Sequence, residues 1–276
     1  MNAPLVFPQF DPVALQLGPF AIRWYALAYI TALLLGWRLA RRLVTRAPRV
    51  ATPEQTDDFL TWATLGVILG GRLGYVLFYQ PALYFAHPAR IVQVWQGGMS
   101  FHGGAIGVTV AIIWFCWRNR IPMVGFADRI TTCVPIGLGL GRVANFINGE
   151  LWGRQAPPWW PGALIYPQAG PPYVPRFPSE LYEAFLEGVV LLAVMLVLAR
   201  SERVRARFGM LSGVFLVGYA VCRILAECFR QPDAFLGYIA GVLTMGQILS
   251  FPMLLIGLGL IAYGLRARRA ASPPAG

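Results

Sequence analysis

An apolar run at residues 130–140 leads directly into the polar stretch Gly141-Arg142-Val143-Ala144-Asn145-Phe146-Ile147-Asn148-Gly149-Glu150-Leu151-Trp152-Gly153-Arg154. The apolar run predicts a membrane helix. Placing arginine, asparagine and glutamate near the hydrocarbon of the bilayer costs free energy. Residues of this kind in membrane helices therefore usually face the interior of the helix bundle or a water-filled cavity. The stretch therefore predicts part of an active site at the end of a membrane-spanning helix.

The composition indicates an integral membrane protein, with 57% hydrophobic residues, 13% charged residues and a mean hydropathy of +0.57. All 23 basic residues are arginines, so Schiff-base and lysine-nucleophile chemistry is excluded. The four cysteines show no CxxC spacing, and only two histidines accompany them. We therefore expect no disulfide framework, no metal and no cofactor.

Apolar stretches of about 20 residues predict an all-α polytopic membrane protein with seven spans. The spans lie at residues 20–40, 58–80, 103–118, 126–147, 180–199, 209–230 and 245–265. One alternating set of connections carries Arg41, Arg42, Arg46, Arg49, Arg118, Arg120, Arg200, Arg203, Arg205, Arg207, Arg266, Arg268 and Arg269, and the other carries only Arg90, Arg154, Arg176 and Arg230. The positive-inside rule therefore predicts an N-terminus outside the membrane and a C-terminus in the cytoplasm. This asymmetry accounts for the net charge of +11 without a nucleic-acid partner.

We expect one seven-helix membrane domain over residues 1–276. Residues 148–178 hold eight prolines and three tryptophans. They predict a small extramembrane head at the outer surface, because tryptophan favours the headgroup region. Residues 1–19 and 81–98 are expected to form interfacial arms. The alternative for residues 148–178 is a disordered Pro-rich loop.

With this orientation, the polar residues inside the spans fall in the outer half of the bilayer. They are Arg23, Tyr25, Arg72, His102, Arg142, Asn145, Asn148, Glu150, Glu180, Glu183, Glu187, Tyr219, Arg223, Glu227 and Arg230. Their common depth predicts one site that faces the outer leaflet.

Spacing places Tyr219, Arg223, Glu227 and Arg230 on one helix face, at i, i+4, i+8 and i+11. Arg223 and Glu227 are expected to pair, and Arg142 shares a face with Asn145. Two arginine-bearing faces around one cavity would form an anion clamp, since guanidinium binds phosphate bidentately. The alternative is a set of buried ion pairs that only fixes helix packing.

His102 lies at the start of a predicted helix, in the glycine-rich sequence Gly97-Gly98-Met99-Ser100-Phe101-His102-Gly103-Gly104. The positive end of a helix dipole disfavours imidazolium, so a neutral His102 could accept a proton. A single histidine can equally be structural.

Residues 141–154 resemble the signature of the prolipoprotein diacylglyceryl transferases of bacterial inner membranes. The sequences His102-Gly-Gly, Pro178-Ser-Glu-Leu-Tyr-Glu183, Arg230-Gln-Pro-Asp233 and Met245-Gly-Gln-Ile-Leu-Ser250 are similar to further family features in the same order. The resemblance implies transfer of a diacylglyceryl group from phosphatidylglycerol to the lipobox cysteine thiol of a preprolipoprotein, with release of glycerol phosphate. It also implies seven spans, an extramembrane head and an active site at the outer leaflet of the inner membrane.

This reaction suggests a role for each candidate residue. Arg142 and Arg223 would bind the phosphate and stabilise the leaving group, since one preorganised donor typically contributes about 3 kcal/mol. His102 is the candidate base, with Tyr25 and Tyr219 as positioning groups or as substitutes for it. Glu227 would hold Arg223. The remaining substrate-binding candidates, for headgroup orientation and positioning, are Tyr25, Asn145, Glu150, Gly153, Tyr219 and Arg230. An anionic-lipid transporter or flippase is the alternative function, but it should show access to both membrane faces.

Overall fold

The structure is a computed structural model that describes residues 5–231 and 243–266. Asp233 of the family-like sequence, and Arg268 and Arg269 of the predicted cytoplasmic end, lie outside the described residues. The described chain is mostly helical and divides into two compact units. The large unit contains residues within Met1–Leu39 and Asp128–Gly276, and the small unit contains Ala40–Ala127.

Eleven α-helices lie within the described ranges. They are α1 (Trp24–Val44), α2 (Pro53–Phe78), α3 (Pro81–Ala86), α4 (Phe101–Asn119), α5 (Met123–Thr131), α6 (Val134–Asn148), α7 (Ser179–Glu183), α8 (Leu191–Arg200), α9 (Glu202–Arg205), α10 (Met210–Glu227) and α11 (Met245–Arg266). Five short strands complete the order: β1 (Leu5–Val6), β2 (Val13–Leu17), β3 (Phe20–Arg23), β4 (Leu164–Ile165) and β5 (Pro175–Arg176).

Six helical segments are long and apolar enough to cross a membrane. They are Pro53–Phe78, Phe101–Asn119, Met123–Asn148, Ser179–Arg200, Met210–Glu227 and Met245–Arg266, and each corresponds to one of the last six predicted spans. A polytopic membrane protein is therefore confirmed. The predicted boundary at residue 230 is wrong, because α10 ends at Glu227.

The predicted first span begins too early. Residues 20–23 form β3, which pairs antiparallel with β2 through the turn at Gly18, and the helix starts only at Trp24. β-branched and aromatic side chains favour this hairpin, which an apolar window cannot distinguish from the start of a helix. The prediction of an all-helical chain is accordingly incomplete.

In the small unit, glycines allow α2 and α4 to approach closely. A Cβ added to Gly103 would lie 2.9 Å from the Cα of Gly74, and one added to Gly70 would lie 2.8 Å from the Cα of Gly107. Ser100 caps α4, since its side chain accepts a hydrogen bond from the Gly103 N–H at 3.2 Å. The Ser100 N–H also donates to the Gly71 carbonyl at 2.9 Å, which fixes the start of α4 against α2.

The predicted arm at residues 81–98 consists of α3 and two 3₁₀ turns, Pro88–Val92 and Val94–Gln96. Arg72, a buried residue of α2, donates hydrogen bonds to five carbonyls of this segment. These are the carbonyls of Arg90 (2.6 Å), Ile91 (2.8 Å), Gln93 (3.2 Å), Gly97 and Gly98 (3.1 Å). Its guanidinium also lies over the Tyr84 ring at 5.0 Å. Arg72 therefore folds the arm onto α2.

In the large unit, residues 148–178 form a small folded element. Strand β4 pairs parallel with β1 and antiparallel with β5. Phe7 stacks on Tyr166 with ring centroids 4.8 Å apart, and both rings are buried. The segment is thus ordered around an aromatic core. The alternative prediction of a disordered loop is therefore wrong.

The helix Ser179–Arg200 is not a regular α-helix. Residues Ala184–Val190 form a π-helical segment between α7 and α8, a departure that often marks functional sites. Gly139 of α6 and Gly188 of this segment approach closely, since a Cβ on Gly139 would lie 3.0 Å from the Gly188 Cα. This approach places the end of α6 beside the acidic face of the helix.

Candidate active site

Six charged side chains of the large unit form one cluster, here called the ion cluster. Its members are Arg142 of α6, Glu183 of α7, Glu187 of the π-helical segment, Arg223 and Glu227 of α10, and Arg230 just beyond α10. The three carboxylates are almost completely buried. Buried charges are tolerated only when they are paired, so the cluster requires α6, α10 and the helix Ser179–Arg200 to meet here.

Glu183 is the centre of the ion cluster. Its Oε2 accepts from Arg142 Nη2 at 2.8 Å and from Arg223 Nη1 at 2.6 Å, and its Oε1 accepts from Arg230 Nη1 at 3.3 Å. Three guanidinium groups from separate parts of the chain thus converge on one carboxylate. The arrangement gathers three guanidinium groups around one protein carboxylate, which holds part of their donors in place.

Arg223 joins two carboxylates with two different nitrogens. Nη1 contacts Glu183, and Nη2 contacts Glu227 Oε1 at 2.8 Å. The predicted pairing of Arg223 with Glu227 is therefore confirmed. Arg230 Nε lies 3.8 Å from the same Glu227 oxygen, so these side chains remain on one side although α10 has ended.

The first turn of α11 packs against the ion pair between Arg223 and Glu227. A Cβ added to Gly246 would clash with Glu227 Oε1 and would lie 2.8 Å from Glu227 Cδ and 3.2 Å from Arg223 Nε. Only glycine fits at this position without displacing the ion pair. Gly246 was not among the predicted site residues, although it lies within a family-like sequence.

Residues 141–154 fold into the end of α6 and a tight connection. The Asn145 Nδ2 donates to Glu150 Oε1 at 2.7 Å, and Asn148 Nδ2 lies 3.5 Å from the same oxygen. Gly149 ends α6 in the left-handed conformation with φ of 62°, and Leu151 also has a φ of 62°. The connection therefore turns Glu150 back toward the helix that carries Asn145.

The last two residues of the stretch dock onto the end of α10. The Gly153 N–H donates to the Phe177 carbonyl at 2.8 Å, and a Cβ on Gly153 would lie 2.5 Å from the Phe229 carbonyl oxygen. Arg154 Nη2 and Nε donate to the carbonyls of Glu227 (2.8 Å) and Arg230 (2.7 Å). These bonds satisfy carbonyls at a helix end that lack helical partners.

The other predicted site residues have different surroundings. Tyr25 of α1 packs on Tyr29 with centroids 5.2 Å apart, and Tyr219 lies one turn before Arg223 and stacks on Phe215. His102 belongs to the small unit, where it is exposed in the first turn of α4. The predicted position of His102 at a helix start is confirmed.

Tyr166 directly follows β4 and is buried. Its hydroxyl donates a hydrogen bond to Glu180 Oε2 at 3.4 Å. Burial and the neighbouring Glu180 carboxylate raise the pKa of the Tyr166 phenol. Within residues 5–231 and 243–266, no group of three or more histidine, cysteine, aspartate or glutamate side chains could hold a metal ion.

Residues 12–263 match the sequence model of the family described as prolipoprotein diacylglyceryl transferase. The chain belongs to the prolipoprotein diacylglyceryl transferase family. The family expected from the sequence is thereby confirmed, and with it the transferase class of enzyme.

Three proteins named phosphatidylglycerol–prolipoprotein diacylglyceryl transferase illustrate the similarity. That of Gluconacetobacter diazotrophicus is 64% identical over 261 residues, which cover 95% of this chain and 92% of that protein. That of Acidiphilium cryptum is 61% identical, with 93% of this chain and 92% of that protein covered. That of Gluconobacter oxydans is 59% identical, with coverage of 96% and 97%.

In this member of the prolipoprotein diacylglyceryl transferase family, Glu183 and Glu187 are the site residues that sequence reasoning did not assign. Both were predicted only to lie at the depth of the site. The available signal was the spacing of Glu180, Glu183 and Glu187, which places three carboxylates on one face of an otherwise apolar helix.

Proposed function

We propose that this chain transfers the diacylglyceryl group of phosphatidylglycerol to the lipobox cysteine thiol of a preprolipoprotein and releases sn-glycerol 1-phosphate. The observation that carries the proposal is the convergence of Arg142, Arg223 and Arg230 on one buried carboxylate. Each guanidinium has five N–H donors, and the carboxylate contacts of Arg142 and Arg223 use only part of their donors, which suits the binding of a lipid phosphate. The names of the relatives support the same two substrates.

The reaction forms a bond between the thiol sulfur and the terminal glycerol carbon, while the bond from that carbon to the phosphate oxygen breaks. The thiol must first lose its proton, since an unperturbed cysteine has a pKa of about 8.5. His102, in the first turn of α4, is proposed as the base. Because the nucleophile comes from the substrate, the enzyme does not need a nucleophile of its own.

Arg142 and Arg223 are proposed to bind the phosphate and to stabilise the charge that develops on its leaving oxygen. Donors that are already fixed before the reaction need no reorganisation during it, and Glu183 and Glu227 fix these two guanidinium groups. Asn145 and Glu150 would orient the glycerol headgroup. Tyr25, Tyr219, Gly153 and Arg230 complete the proposed substrate-binding residues.

We further propose that α1 is a seventh span, with the chain entering from the periplasm and ending in the cytoplasm of a bacterial inner membrane. The arginine asymmetry between alternate connections supports this orientation. Residues 148–178 would then form a periplasmic head, residues 1–19 and 81–98 interfacial arms, and the ion cluster would face the outer leaflet.

The proposal is tested with purified protein in detergent, phosphatidylglycerol and a synthetic lipobox peptide. Peptide mass and glycerol phosphate release are followed for the wild type, for Arg142→Ala and for Arg203→Ala, an exposed arginine of α9. A diacylglyceryl mass shift that is lost only in Arg142→Ala is expected. Folded protein that binds the lipid without modifying the peptide would contradict the proposal and would favour anionic-lipid transport.

A further inference from the structure

Glu187 differs from the other carboxylates of the ion cluster. It is completely buried, yet neither carboxyl oxygen has a hydrogen-bond partner among the described residues. Its nearest cation is Arg223, whose Nη1 lies 3.9 Å from Glu187 Oε1. Glu183, by contrast, receives three guanidinium groups at hydrogen-bonding distance.

Glu187 shares a helix face with Glu183. Glu187 follows Glu183 by four residues, a spacing that places both side chains on one helix face, and it lies inside the π-helical segment Ala184–Val190. The charged and titratable groups around it come from α6, α7, α10 and the residue three beyond α10. They are Arg142, Glu183, Tyr219, Cys222, Arg223 and Arg230.

The charges of the ion cluster limit what it can bind. Three guanidinium groups face three carboxyl groups, so the cluster is neutral when all three carboxyls are ionised. A phosphodiester would then bring one uncompensated negative charge, which is costly beside buried carboxylates. One proton on the cluster removes this excess, and Glu187 is the carboxyl group without a hydrogen bond.

The reaction also creates charge at this position. The lipid phosphate changes from a diester with one negative charge to a monoester with two, and a phosphate monoester has a second pKa of about 6. The released monoester is therefore mostly a dianion in water at neutral pH, whereas a proton on the leaving oxygen would keep the phosphate at one negative charge inside the ion cluster. An acid close to the guanidinium groups that hold the phosphate would supply this proton.

We propose that Glu187 is a catalytic residue that binds the lipid phosphate as a carboxylic acid and donates its proton to the leaving phosphate oxygen. This role rests on the proposed function. The thiol proton goes to the base, the carbon–sulfur bond forms, and the carbon–oxygen bond breaks. The Glu187 proton then goes to the phosphate, Glu187 becomes a carboxylate, and proton return from the base through solvent restores the starting state.

The test compares two lipids. One is phosphatidylglycerol, and the other carries sulfur in place of the oxygen that bridges the diacylglyceryl carbon and phosphorus. A thiophosphate leaves without protonation, so it does not need an acid. With the oxygen lipid, Glu187→Gln should lower kcat about 100-fold or more, the usual range for a general acid, while KM stays within a factor of about three. With the sulfur lipid, its kcat should lie within a factor of about three of the wild type.

Glu187→Asp keeps an acid and should retain more kcat than Glu187→Gln with the oxygen lipid. Glu202→Gln, an exposed carboxylate of α9, is the matched control and should behave as wild type. Equal losses in Glu187→Gln with both lipids, or no loss with either, overturn the role of Glu187. If wild-type enzyme transfers neither lipid, the proposed function fails and this role fails with it.

Discussion

The substitution Arg223→Lys keeps a positive charge at the centre of the ion cluster but removes the fork of the guanidinium. In the structure, Arg223 Nη1 lies 2.6 Å from Glu183 Oε2 and Nη2 lies 2.8 Å from Glu227 Oε1. These two carboxylates belong to different helices and are contacted by different nitrogens. A lysine has a single terminal nitrogen and a different donor geometry, so it cannot replace both contacts in the same positions.

The magnitude follows from the loss of one such contact. A hydrogen bond between charged groups contributes about 1.5–3 kcal/mol, and a tenfold rate change corresponds to about 1.4 kcal/mol. If the displaced cation no longer meets the leaving phosphate, kcat/KM should fall by about 10- to 150-fold. The loss should appear mainly in kcat, because the phosphate charge that the cation stabilises increases in the transition state.

The assay is the lipobox-peptide reaction, with kcat and KM for phosphatidylglycerol measured in the same detergent for wild type, Arg223→Lys and Arg203→Lys. Thermal unfolding of each variant shows whether the protein is intact. The control at the exposed Arg203 should match the wild type. Folded Arg223→Lys enzyme with kcat/KM within threefold of the wild type would refute the argument that guanidinium orientation is needed.

Three further substitutions probe contacts outside the ion pair itself. Arg72→Met removes five hydrogen bonds to residues 90–98, so the hydrogen exchange of backbone amides in that segment should become at least about tenfold faster. Mass spectrometry measures this exchange, and an unchanged rate would show that the arm does not depend on Arg72. Gly246→Ala should lower kcat by about tenfold through displacement of the adjacent ion pair, whereas Gly259→Ala, in the open part of the same helix, should leave kcat unchanged. Gly139→Ala should lower the thermal unfolding temperature, because the added methyl group forces α6 away from the π-helical segment. Gly141→Ala has free space around it and should raise the free energy of unfolding by about 0.4–1 kcal/mol. A more stable Gly139→Ala protein and a less stable Gly141→Ala protein would refute the packing argument.

Local features of the chain could be predicted from the sequence. The pairing of Arg223 with Glu227 follows from an i, i+4 spacing, and the start of α4 near His102 follows from Ser100 and the glycines before it. The last six spans follow from their apolar stretches, because a segment inside a membrane must satisfy its own backbone hydrogen bonds and therefore forms a helix. Each of these depends on residues close together in the sequence.

The features that the sequence did not reveal depend on distant contacts. Glu183 became the centre of the ion cluster only when α6 and α10 packed against its helix, which no single-helix pattern encodes. The π-helical turn that carries Glu187 has no reliable sequence signal. The first three residues of β3 are apolar and therefore predict part of a span, but the pairing with β2 decides the conformation of this segment. Gly246 matters through one contact with Glu227 across a helix interface.

The small sheet that contains β1 can form only late in the synthesis of this protein. Leu5 pairs with Leu164, so 159 residues separate the partners in the chain. At about 5–20 residues per second, β1 is made roughly 8–30 s before β4 exists. During that interval the first strand has no partner, and its exposed backbone groups are available to other chains. The N-terminal segment must therefore remain unpaired while several membrane helices are inserted, and completion of the sheet marks the point at which both distant parts of the chain have reached the same side of the membrane.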